Sequence, residues 1–165
     1  MIDIYRGGWQ LTKVKGMMLF SAACAAGAVY WGWDLFQHYG LSPGDGGVLA
    51  PVGQRLAWGL TVAALGLAFP AGMWAFGRRY ATRIRYDDAA DSLHIGTLEF
   101  LASRRHVIPA ADVTEAVYHQ GEVEGSGVDA PWFMLHFKGG RRSVVVDAQG
   151  VFPDRDLAKR LLKMD

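Results

Sequence analysis

Five histidines, one cysteine and a scatter of carboxylates are the side chains from which acid–base, nucleophilic or metal chemistry would first be built in this chain. His38, His94, His106, His119 and His136 stand far apart. None pairs with another His or with Cys24 at a metal-ligand spacing. Cys24 lies in an apolar run with no second cysteine to bond, so it is read as a small packing residue. Glu122, Glu124 and Asp129 occupy a Gly-rich stretch, whereas paired carboxylates do acid–base work only when a cleft holds them. Asp87, Asp88 and Asp91 form a turn without the spacing of a calcium loop. Ser103 and Ser143 lack a nucleophile-elbow context, and GDGGV (44–48) lacks the lysine and the strand of a phosphate-binding loop. The pattern predicts a chain without catalytic residues, metal site, cofactor or small-molecule substrate.

The elements that would carry these residues explain why. Two apolar stretches dominate the first half, residues 16–36 and 56–77, and Asp34 is their only formal charge near an end. Each is about 20 residues long, the length a helix needs to cross a bilayer core. Residues 16–77 hold only Asp34, Asp45 and Arg55, while residues 78–165 hold 13 of the 17 Lys+Arg and 13 of the 16 Asp+Glu. The mean hydropathy of +0.09 conceals that segregation. A net charge of +1 carries no basic excess, so nucleic acid is not a predicted partner.

The domain organisation expected is an interfacial N-terminal segment (1–15), a transmembrane helical hairpin (16–36 and 56–77, loop 37–55) and a β-rich domain with a C-terminal helix (78–165). The 15 residues ahead of the first stretch include Asp3, and a second span follows, so a retained helix is preferred to a cleaved signal. Within the spans, small residues let another backbone approach closely: Ser21, Ala25 and Ala28 on the first, Gly59, Ala63, Ala68 and Gly72 on the second. These are the candidate helix–helix contacts. Pro70 predicts a kink. Trp9, Trp31, Trp33 and Trp74, with Arg78 and Arg79, are candidate membrane-interface anchors. Arg6, Lys13, Lys15, Arg78, Arg79, Arg83 and Arg85 flank the hairpin, against Arg55 and Asp45 in its loop. The positive-inside rule then predicts both termini in the cytoplasm.

From residue 80 onward the period changes to 2. Strands are predicted from Tyr80 through Asp87, over 92–99, 104–109, 111–119 and 131–138, and over 141–147 after a GG turn. Residues 121–131 read as a flexible loop. Pro153 and the acidic residues after it open a terminal helix with Leu157, Leu161 and Leu162 as its apolar stripe. The fold class is therefore a membrane α-helical hairpin plus a small α+β domain. That domain is an antiparallel β-meander of about six strands, PH-like, closed by one C-terminal helix.

The order of two spans, basic exit, β-domain and short helix comes with specific wording. His119, Gly121 and Glu122 form H-x-G-E, a Lys-Gly precedes a strand, and Asp147, Gly150, Phe152 and Pro153 form D-x-x-G-x-F-P. In these pieces the chain resembles the mitochondrial transmembrane protein 223 group, related to transmembrane proteins 70 and 186. The resemblance implies a two-helix inner-membrane protein that helps to assemble respiratory complexes or ATP synthase, with no catalytic residues to carry over. The opening MIDIYRGG has too few Arg and Ser for a mitochondrial targeting segment, and the Ala/Gly/Arg-rich composition resembles a bacterial relative, expected in the inner or intracytoplasmic membrane.

The expected function is a non-enzymatic accessory or assembly subunit of an energy-transducing membrane complex, respiratory or photosynthetic. It would bind neighbouring transmembrane helices and cap their cytoplasmic face. Its partners would be integral membrane subunits, with lipids and their anionic headgroups beside them. One alternative is a PH-like lipid-binding membrane protein using the Arg78–Arg85 cluster. Another is a pigment- or haem-contacting subunit acting through His38, just past the aromatic belt.

Overall fold

The computed structural model describes residues 1–41, 44, 47–100, 102–123, 128–140 and 143–164. Glu124, Asp45, Arg141 and Arg142, which enter the readings above, lie outside the described residues. The chain divides into two units: residues 1–15 with 75–165, and residues 16–74.

The second unit holds residues 16–38 of α1 (Trp9–His38) and 52–74 of α2 (Val52–Gly77), two helices long and apolar enough to cross a membrane. Both helices run beyond the expected spans, because their polar first turns continue the same hydrogen-bond ladder. α2 passes through Pro70 as one uninterrupted helix. The helices meet where side chains vanish. A Cβ on Gly32 would stand 2.5 Å from the Gly59 carbonyl oxygen and 3.4 Å from the Ala63 Cβ, and one on Gly66 would overlap the Ala28 methyl. Beyond this seam the Arg55 guanidinium donates to the Phe36 carbonyl at 3.1 Å and lies over the Phe36 ring. Tyr39 packs on Trp58, with ring centroids 6.5 Å apart. Gly40, at φ +98°, brings its backbone against Val48 and Ala50, where a Cβ would stand 2.5 Å from two backbone atoms.

The first unit holds two antiparallel sheets. One has the order β1-β2-β3-β4, from β1 (Ile2–Arg6), β2 (Ala81–Asp87), β3 (Ser92–Glu99) and β4 (Ala102–Pro109). The other has the order β5-β8-β9, from β5 (Val113–His119), β8 (Trp132–Phe137) and β9 (Val144–Asp147). A two-stranded ribbon, β6 (Glu122–Val123) with β7 (Val128–Asp129), stands where a plain loop was expected. Helix α3 (Arg155–Leu162) follows. Both sheets and α3 feed one core, with Ile4, Ile84, Leu93 and Ile95 from the first sheet, Val113, Leu135 and Val146 from the second, and Ala158 and Leu162 from the helix. All four residues of β9 are buried, Val145 partly because Tyr80 bridges it from outside the sheet.

The N-terminus departs from expectation. Residues 2–6 of the segment expected to lie along the membrane surface form an edge strand, with Asp3 opposite Arg85 and Tyr5 opposite Ile84. Ile4 is the extra residue of a bulge between those pairs, so Ile4 and Tyr5, though consecutive, are both fully buried. Residues 9–15 are already helix.

Candidate functional site

The D-x-x-G-x-F-P motif fastens β1 to the rest of its unit. Asp147 ends β9 and is buried. Its Oδ1 accepts from the Gln149 N–H at 2.9 Å, and its own N–H donates to the Tyr5 hydroxyl at 3.3 Å. The resulting turn brings Gly150 against the Tyr5 ring. A Cβ there would collide with the ring and stand 3.1 Å from the Arg6 and Asp147 carbonyl oxygens. Val151 and Arg6 then exchange both backbone hydrogen bonds, each 2.9 Å, on the side of β1 away from β2. The Phe152 ring sits 5.2 Å from Tyr5. After Pro153, Asp154 caps α3 by accepting from the Leu157 N–H at 2.9 Å. Eight residues thus turn the end of one sheet into a clamp on the N-terminal strand and then launch the closing helix.

Electrostatics hold the other face of the strand. The Asp3 carboxylate accepts from Arg83 Nε at 2.6 Å and Nη2 at 2.5 Å, and from Arg6 at 2.6 Å, with Arg85 at 3.7 Å. The bidentate Arg83 pair, then Arg6, hold the carboxyl well below the usual carboxylate range. Three of the seven cations read as a topological signal are therefore engaged by one carboxylate. Burial does the opposite at the clamp. It pushes the Asp147 carboxyl up, and it pushes the Tyr5 and Tyr80 phenols far above their ordinary value.

The H-x-G-E residues shape the neighbouring hairpin. His119 stacks on Trp132 with ring centroids 5.2 Å apart and planes 20° off parallel. Gly121, at φ +64°, leaves no room for a Cβ beside Trp132 and the Ala130 carbonyl. Glu122 pairs with Asp129 in the β6–β7 ribbon.

The expected helix contacts fall into two groups. Ser21 and Ala25 are buried, and Ala28, Gly59 and Ala63 lie on the seam between α1 and α2. Ala68 and Gly72 are exposed, and a Cβ on Gly72 would meet only open space. Trp9, Trp31, Trp33 and Trp74 are exposed. His38 is bonded one turn back, its Nδ1 2.8 Å from Asp34 Oδ1. Arg79 is exposed and Arg78 half-buried. Arg78 lines a groove of about 590 Å³ with Arg104, Arg105 and His106 along edge strand β4. His106 bonds Thr97 at 3.2 Å and His136 bonds Ser143 at 3.1 Å, and among the described residues no three His, Cys, Asp or Glu gather as a metal site would need.

Sequence reasoning missed Tyr5, Tyr80 and Gly32. Tyr5 had a signal in the apolar IDIYR before the first helix. Tyr80 had one in its place at the head of a strand, and Gly32 one in its spacing from Ala28.

Neither the curated proteins nor the solved structures hold a match to the chain. A family model does match, over residues 4–163, and those bounds take in the last three residues of β1, both helices, every later strand and α3. The motif residues of the clamp and the membrane-capable hairpin thus belong to one inherited plan, and the chain is a member of the TMEM70/TMEM186/TMEM223 protein family.

Proposed function

We propose that this protein is a non-enzymatic accessory or assembly subunit of an energy-transducing membrane complex in a bacterial inner or intracytoplasmic membrane. The observation that carries the reading is membership, over residues 4–163, of a family of membrane assembly factors. The hairpin binds client helices through the small residues that α1 and α2 do not use on each other, Ala68 and Gly72 of α2. Close backbone approach there gives the van der Waals contact that drives helix association in lipid. The β-unit caps the client on the side of the termini, a cytoplasmic side that the flanking cations favour.

Gentle solubilisation of native membranes tests the proposal. The protein is expected in a high-mass complex with integral membrane subunits, and Gly72→Val is expected to release it while leaving the hairpin intact. Migration of the wild type as a free monomer refutes the reading.

A further inference from the structure

Within the first unit, a groove of about 380 Å³ runs between the first turns of α1, the end of α2 and the β8–β9 pair. Its walls are apolar: Val14, Phe76, Pro131, Trp132, Met134 and Val145. That volume is within the range of small-molecule pockets, about 300–1,000 Å³. Its lining includes two polar groups that apolar walls do not explain. Asp147 is 4% exposed and Tyr80 5% exposed, and neither Asp147 Oδ2 nor the Tyr80 hydroxyl has a hydrogen-bond partner among the described residues. The hydroxyl lies beside the carboxylate, and each acts on the ionisation of the other. A buried carboxylate oxygen without a partner is costly, so a groove that holds one beside a hydroxyl suits a cationic donor. Cations stand close by as well. Arg79 lines the groove, and Lys13, beside Val14 and one turn of α1 from Gln10, acts on the Asp147 carboxylate.

We infer that this groove binds an amine-headed zwitterionic phospholipid, its ammonium on Asp147 Oδ2 and Tyr80, its phosphate at Arg79 and Lys13, and its glycerol and upper acyl chain over Trp132 and Met134. The charge order selects the class. A primary ammonium offers three N–H donors, enough for both unpartnered oxygens. A choline head offers none, and a glycerol head brings no cation to the carboxylate. The walls include the ends of the two membrane-capable helices, so the ligand comes from the bilayer that surrounds them. The inference does not depend on which complex is the client.

Native mass spectrometry of the full chain released from mixed micelles of equal phosphatidylethanolamine, phosphatidylcholine and phosphatidylglycerol reads the preference directly. Retention of phosphatidylethanolamine is expected at least fivefold above either competitor. Asp147→Asn, nearly isosteric, is expected to erase that preference with the fold intact by circular dichroism. Met134→Trp is expected to lower retention of all three by filling the groove. Equal retention of the three lipids by the wild type overturns the inference. So does an unchanged preference in Asp147→Asn, or adducts that survive Met134→Trp. Loss of client association without loss of this preference bears on the proposed function alone.

Discussion

Gly150→Ala is the sharpest test of the clamp on β1. The added methyl would be driven into the Tyr5 ring while standing 3.1 Å from two carbonyl oxygens. None of the three can easily yield. Tyr5 is fully buried, its ring packs on Phe152 at 5.2 Å, and its hydroxyl holds the Asp147 N–H. The Arg6 carbonyl is fixed by the Val151 N–H at 2.9 Å. Overpacking a core by one methyl costs about 1–3 kcal/mol, and the rigidity of all three neighbours puts this case at the upper end, about 2–3 kcal/mol. For a domain of about 100 residues, 1 kcal/mol shifts Tm by about 4–8 °C, so a loss of about 10–20 °C is expected. Six tryptophans, five of them in the helices, obscure fluorescence. Urea-dependent proteolysis of the whole chain in mild detergent, scored by survival of the β-unit, is the better readout. Tyr5→Leu makes room for the methyl, so the double variant with Gly150→Ala should lose less than the sum of the single losses, by about 1 kcal/mol or more. A single-variant loss under about 0.5 kcal/mol, or strict additivity of the pair, refutes the clamp.

Four further outcomes follow from the same geometry. The Asp3 carboxyl is held low by Arg83 and Arg6, so its contribution is present above the unfolded value of about 3.9 and fades as pH falls through the folded one; Tm measured from pH 6 to pH 3 should fall more steeply in wild type than in Asp3→Asn. Asp147 has the opposite sign, because burial raises its carboxyl: stability is lost as pH rises above about 3.9, so Asp147→Asn should melt higher at pH 7, by about 1 kcal/mol, with the gap closing in acid. Gly66→Val forces the helices apart against Ala28 and should speed tryptic cleavage after Arg55 in detergent, whereas Gly72→Val, with open space before it, should leave that rate unchanged. Asp154→Ala removes the α3 cap and should cost about 1 kcal/mol in urea denaturation.

Much of this architecture is legible in local sequence, and the exceptions share a cause. The spans declare themselves by length and want of charge, strands β2 and β3 by alternation, β8 and β9 as apolar runs on either side of a GG turn, and α3 by Pro153 and its acidic first turn. Strand β1 does not, because its partner Arg83–Tyr86 lies some 80 positions along the chain and its bulge buries Ile4 beside Tyr5, which breaks the alternation that marks a strand. Small residues identified faces suited to close packing but not which neighbour each face meets. Gly59 and Ala63 meet α1 of the same chain, while Ala68 and Gly72 stay uncovered by it. Within the Arg78–Arg85 cluster, read as a headgroup site, Arg83 closes on Asp3, a pairing created by the β1–β2 register. Asp147 was visible as a motif residue, but an oxygen without a partner is a property of three-dimensional packing alone.

The pairing of β1 with β2 also sets an order of events. These strands are the two ends of the helical hairpin, so the first sheet gains its edge strand only when residues 2–6 and 81–87 reach the same compartment. Two crossings of a membrane bring them together, and one crossing separates them. A chain that has inserted a single helix cannot bury Ile4 and Tyr5, cannot seat Gly150 and cannot neutralise Arg83. It carries an open sheet edge and an uncovered core, the features by which quality control recognises an unfinished protein. For a chain whose two helices both cross a membrane, completion of the β-unit is therefore a readout of correct insertion.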